Sequence, residues 1–201
     1  MKQEQKQEAK VGLVGMPTLI HRGANGEIKK LWNNNKLGKS LLAFFRRHFS
    51  KESYLHLYGL RIPYLFGYWG NELAIKNLIT SAGKAGAASR LNGAGSEAAF
   101  TYLEVGTGTT AAAAGNTTLE TPITDSGLAR AAATCTRVTT TVTNDTAQLD
   151  KTWSVSGTKS VTECGILNAA SGGTLLGRQV FTAVNVVSGD SLQVIYRVTA
   201  S

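Results

Sequence analysis

Near the C-terminus, Ser191 to Thr199 reads "SLQVIYRVT". Leu192, Val194, Tyr196 and Val198 alternate with Gln193, Ile195, Arg197 and Thr199, a period of two that turns one apolar face to a core and leaves the other mostly wet. Working back along the chain, Leu149, Lys151, Trp153 and Val155 define a second alternating face, interrupted by the lysine. Residues 101 to 201 hold 21 threonines and only 7 Asp or Glu, a choice that favours pleated strands over helices. The predicted strands are Phe100 to Val105, Leu128 to Val142, Thr146 to Val155, Ser160 to Leu167, Thr174 to Ala183 and Ser191 to Thr199. Between them lie "TNDT", "SGT", "NAASGG" and "VSGD", which are too short for the helical crossovers that parallel strands need. An antiparallel sandwich or partly closed barrel follows.

The N-terminal part has another character. Residues 1 to 60 carry 11 Lys or Arg against 4 Asp or Glu, net +7, whereas residues 61 to 201 carry 10 against 9, net +1. "MKQEQKQEAK" reads as a charged tail and is not followed by the apolar run of a signal peptide, so the chain is expected to be made and kept in the cytosol or released by lysis. "VGLVGMPTLIHR", the turn "GANG" and "EIKKLW" predict a first hairpin. Leu73 to Ile79 fits a strand or a helical turn, and Ala82 to Leu91 a helix ended by "NGAGS".

From Lys36 to Lys51 the rhythm is helical. Leu41, Phe45 and Phe49 recur at i, i+4 and i+8 with Leu37 and Leu42 beside them, while Lys39, Arg46 and Arg47 fill the other side. Such a segment can pack on the protein's own sheet, dock on a neighbouring subunit, or meet a membrane or nucleic acid. Three phenylalanines, Phe44, Phe45 and Phe49, are more apolar load than a surface tracking phosphates requires. Next comes "LHLYGLRIPYLFGYW", from Leu55, an aromatic cluster that includes Tyr64 and Phe66 and is broken by Gly59, Pro63 and Gly67. The candidate partner-binding residues are therefore Lys39, Leu41, Leu42, Phe44, Phe45, Arg46, Arg47, Phe49, Tyr64 and Phe66.

Catalytic and cofactor patterns find little support. "VGTGTTAAAAG", Val105 to Gly115, lacks the lysine of a phosphate-binding loop and the strand-helix-strand setting of a dinucleotide loop, and "NKLGKS" at Asn35 lacks the upstream glycine. It reads as a structural connector in which Gly106 and Gly108 permit a sharp path and Leu119 re-enters the core. His21, His48 and His56 have no metal-site spacing. Cys135 and Cys164 read as two buried thiols or as a pair facing across strands. Glu163, in "SVTECGIL", is the carboxylate of interest: if inward, it needs a charged partner, with Arg130 or Arg137 the candidates.

"KNLITSAGKAGAASRLNG" from Lys76, "YLEVGTGTTAAAAGNTTLETPI" from Tyr102 and the run from "VTECGIL" to "DSLQVIYRVT" together resemble a group of small tailed-bacteriophage virion proteins, over Asn77 to Ser201. Against that group's pattern, roughly Asn33 to Gly70 looks like an insertion, and Cys164 stands where a valine-like residue suits the strand. The resemblance implies a non-enzymatic structural protein of the virion, assembled in the host bacterial cytoplasm. It implies capsid decoration or stabilisation, or alternatively a tail, neck or fibre-attachment role, with the major capsid protein or neck and tail proteins as partners. Many copies or a homo-oligomer are expected, with no cofactor and no membrane partner; a nucleic-acid-binding module is the reading from another class. The expected architecture is mainly β: an antiparallel β-sandwich or jelly-roll-like module with a short helix over 71–201. A basic anchoring region over 1–70 carries the amphipathic helix.

Overall fold

The computed structural model describes residues 12–33 and 68–200. Ten residues of the first predicted strand form β1 (Leu13–Arg22), and the turn predicted at "GANG" closes with Gly26 N–H donating to the Gly23 carbonyl at 2.9 Å before β2 (Ile28–Lys29). Then come β3 (Leu31–Asn33), β4 (Tyr68–Gly70), β5 (Leu73–Ala74), β6 (Leu78–Ile79) and a helix, α1 (Ser81–Asn92). The threonine-rich half supplies β7 (Tyr102–Gly106), β8 (Ala131–Ala132), β9 (Thr134–Val138), β10 (Thr146–Ser154), β11 (Lys159–Leu167), β12 (Leu175–Val186) and β13 (Ser191–Ala200).

These strands make two antiparallel sheets in a sandwich-like arrangement. The larger runs β2-β1-β13-β10-β9, with β5 beside β2 on the same edge of β1, and the second runs β6-β12-β11-β7-β8. The alternation of "SLQVIYRVT" is realised: Leu192, Val194, Tyr196 and Val198 are buried, and with Leu19, Leu149 and Trp153 they meet Leu103, Val105, Val161, Ile166 and Val184 of the other sheet in one core. The chain changes sheets on both sides of this core. At one side residues 73–79 pair first with β1 and then with β12, through Ile75 N–H on the Pro17 carbonyl, Asn77 N–H on the Gly15 carbonyl, and β6 on β12. At the other, β8 pairs with β7 and, one residue later, β9 pairs with β10.

The predicted strand Leu128 to Val142 therefore differs from what forms. It is two short strands separated at Ala133, where the chain crosses between sheets, and it ends at Val138. Beyond that point the Asp145 carboxylate accepts the N–H groups of Thr140, Thr141 and Val142, each at 2.8 Å, and holds them out of any ladder. The expectation of two buried thiols is half corrected. Cys164 is buried in β11, but Cys135 is exposed on β9, an edge strand with both faces wet, and both cysteines are free.

Helix α1 begins at Thr80, whose hydroxyl accepts the Gly83 N–H at 2.9 Å and donates to the Leu175 carbonyl at 2.5 Å. One side of the helix is glycine because of proximity to the sheet. A Cβ on Gly83 would lie 2.1 Å from the Leu176 carbonyl oxygen, and one on Gly86 would lie 2.8 Å from the Phe100 ring. Replacing Gly83 with alanine should therefore push the helix off β12 and cost about 1–3 kcal/mol in a urea titration, despite alanine's better helix propensity. A stabilised Gly83→Ala protein would contradict the packing.

Candidate functional site

The outer face of the second sheet carries the densest polar chemistry among the described residues. Residues Val161 to Asn168 are all buried, since one face of β11 meets the core and the other lies under the segment 107–121. Leu119 re-enters there, as expected, against Leu167 and Leu175. Beside that apolar contact sits Glu163, fully buried. Its Oε1 accepts the N–H groups of Gly108 (3.0 Å) and Thr121 (2.8 Å), and its Oε2 accepts the Glu120 N–H (3.1 Å) and Arg178 Nε (2.7 Å). All four lone-pair positions of the carboxylate are occupied by donors of the protein itself.

Arg178 is the partner that the sequence did not single out, in place of Arg130 or Arg137. It reaches Glu163 diagonally, because Gly165 faces Arg178 and Glu163 faces Val180 in the β11–β12 register. Its remaining nitrogens donate to Asn116 Oδ1 (3.2 Å) and Glu120 Oε2 (3.1 Å). Glu120 also accepts the Thr110 N–H (2.8 Å) and hydroxyl (2.7 Å); these bonds, the hydroxyl first, keep its carboxyl below the usual range. A bulge between Val161 and Glu163 turns Thr162 to the same side, where its hydroxyl donates to the Gly108 carbonyl at 2.8 Å. The charge arrangement pins a loop to a sheet.

This explains the glycines of "VGTGTT" differently from the sharp path expected. Neither has a positive φ. A Cβ on Gly106 or on Gly108 would lie 2.5 Å from Glu163 Oε1, so glycine is required because the carboxylate occupies that space.

Two further carboxylates tie loops in the same manner. Arg130, released from the role expected for it, makes a two-point pair with Glu104 at 2.9 and 3.1 Å and donates to the carbonyls of Ala169 and Gly172, which fixes the β11–β12 turn. Asp190, 3% exposed in the "VSGD" turn, accepts from His21 Nε2 (2.7 Å), Lys29 Nζ (2.8 Å) and the Val187 N–H (3.0 Å). Burial pushes the Asp190 carboxyl up, but the Lys29 ammonium, the Val187 N–H and His21 outweigh it and hold the pKa at about 2. Burial likewise pushes the Cys164 thiol and the Tyr196 hydroxyl up, and Asn77 Nδ2 donates to that hydroxyl. A groove of about 800 Å³ between Ile75, Asn77, Thr109, Ala112, Gln179 and Val180 has one charged group on its walls, Lys76.

All ten residues proposed for partner binding, Lys39, Leu41, Leu42, Phe44, Phe45, Arg46, Arg47, Phe49, Tyr64 and Phe66, lie outside the described residues. What the structure does give is their point of departure. In the β3–β4 pair Leu31 faces Gly70, Trp32 faces Trp69 and Asn33 faces Tyr68, so residues 34–67 leave and return at one hairpin tip. Among the described residues no group of three His, Cys, Asp or Glu is placed to hold a metal ion, and no helix is long and apolar enough to cross a membrane. Comparison of the chain with protein-family models, with curated proteins and with solved structures gives no match.

Two outcomes follow from these clusters. Glu163→Ala removes the acceptor of three N–H groups and leaves Arg178 buried, and it should cost about 3–5 kcal/mol by chemical unfolding, with new protease cleavage within 109–118. A loss below about 1 kcal/mol would show that the loop does not depend on this pair. For Asp190 the folded pKa lies below the unfolded one, so its contribution is complete above about pH 4 and disappears as pH falls through about 2. The stability gap between wild type and Asp190→Asn should thus be full at pH 6 and about halved at pH 3. A gap constant down to pH 2 contradicts the assignment.

Proposed function

We propose that this chain is a non-enzymatic structural subunit of a tailed-bacteriophage virion that decorates or stabilises the capsid, with residues 34–67 as its anchor. The observation that carries the reading is the β3–β4 hairpin, which delivers the insertion from a single point on a folded body. The insertion holds six Lys or Arg against one Asp or Glu, net +5, and four of the six phenylalanines of the chain. A segment both this cationic and this apolar suits docking on a neighbour with an acidic rim around an apolar pocket. The resemblance of the strand motifs over Asn77 to Ser201 adds the virion, and the jelly-roll-like description of the module belongs to the same proposal. Repetition on a shell would convert modest contacts per copy into firm attachment.

The test excises 34–67 and closes β3 to β4 with Asn-Gly, a two-residue hairpin turn. The shortened chain should melt as cooperatively as the parent and lose its place on purified virions, as measured by quantitative mass spectrometry. Retained occupancy would overturn the anchor. The parent should be present on the order of hundreds of copies per particle, as symmetric shells require, whereas about six or twelve would move the assignment to neck or tail.

A further inference from the structure

The outer face of the larger sheet carries an apolar strip that none of the clusters above uses. Leu19 and His21 are buried between the sheets, so Val14, Met16, Thr18, Ile20 and Arg22 take the opposite side of β1. Register then lays out the rows. Met16 lies between Arg197 and Lys76, Thr18 between Ile195 and Ala74, and Arg22 between Ser191 and Ile28. Met16 is 45% and Ile28 39% exposed, and with Val14 and Ile20 they make an apolar row along β1, interrupted by the buried Thr18 and joined on β13 by Ile195 alone, since the other β13 positions beside it are Thr199, Arg197, Gln193 and Ser191. Arg22, Lys30, Lys76 and Arg197 surround it, against Glu72 and Asp150 at its border, and Asp150 already accepts both contacts of the Gln193 amide.

Charge decides among the occupants. The insertion 34–67 carries net +5 and a second copy would present the same four cations, so both set like charges together. An acidic partner relieves them. The row is also the length of a helix: Val14 to Ile20 spans about 20 Å at ~3.3 Å per residue, the length of ~13 helical residues, with Arg197 and Lys76 on the strands to either side, where the flanks of a ~10 Å helix would lie. We propose that this face docks an amphipathic α-helix of a partner protein, its apolar stripe along β1 and its flanking carboxylates on Arg22, Lys30, Lys76 and Arg197. The site is built from no residue of 34–67 and does not rest on the virion reading.

The experiment uses the full chain and a fluorescent 18-residue synthetic helix of leucine and glutamate, with a leucine and lysine helix as control, followed by anisotropy. The glutamate helix should bind in preference and weaken as salt rises. Met16→Asp should reduce its affinity at least tenfold, and the Lys76→Glu/Arg197→Glu double variant should abolish the preference, both melting within a few degrees of the parent because the positions are on the surface. Equal binding of the two helices, or undiminished binding by both variants, overturns the proposal. So do three other results: a dimer in sedimentation that Met16→Asp dissociates, helix binding that appears only after 34–67 is excised, or anionic-vesicle binding lost in the same variants. No particle enters the assay, so its failure leaves the virion reading untouched.

Discussion

The buried pair of Glu163 and Arg178 is the constraint on which the second sheet depends. A sandwich needs each sheet covered on its core side, but β11 is buried on both faces, and its outer cover is a loop rather than a helix layer. A loop over a sheet brings unpaired N–H groups with it, and those are costly to bury. Glu163 accepts three of them, and Arg178 balances its charge while holding Glu120 and Asn116 at the loop's far side. A charge so placed is tolerated only when its hydrogen-bonding capacity is filled, and here it is. From this follow the small residues at 106 and 108 and the burial of Leu119.

The same device recurs at lower stakes elsewhere. Asp190 ties the β12–β13 turn to the β1–β2 hairpin, Glu104 with Arg130 ties the β11–β12 turn, and Asp145 gathers the N–H groups of the β9–β10 loop. Each is a carboxylate within or facing a connection, so most of the seven acidic residues after position 100 have structural partners. The cationic excess gathers in residues 34–67 and around the outer strip of the larger sheet. Both are places where an interaction with another molecule gains from electrostatic attraction.

Much of the architecture was legible because it is local. The alternation in Ser191–Thr199 and Thr146–Val155, the turn at Gly23–Gly26 and the helix near Ala82–Leu91 each depend on residues a few positions apart, and all formed within one residue of expectation. Leu128–Val142 failed because a chain crossing between sheets leaves no mark on strand propensity, and because Asp145 competes for the backbone. The partner of Glu163 was missed for a geometric reason: the bulges in β11 and β12 shift the register, so counting back from the turn does not pair it with Arg178.

The sequence by itself determined a mainly β chain with antiparallel strands, a short helix, a basic N-terminal region and a small-residue connector at 106–120 that lacks the lysine of a phosphate-binding loop. Period, composition and turn chemistry are properties of neighbours along the chain, and they suffice for that. Only the tertiary structure decided which arginine meets Glu163, why residues 106 and 108 carry no Cβ, and that Met16, Ile28 and Ile195 share one face with Lys76 and Arg197. Those facts come from residues up to 181 positions apart, Met16 and Arg197, brought together by strand register. Register is fixed by the packing of two sheets on one core, which no local pattern contains.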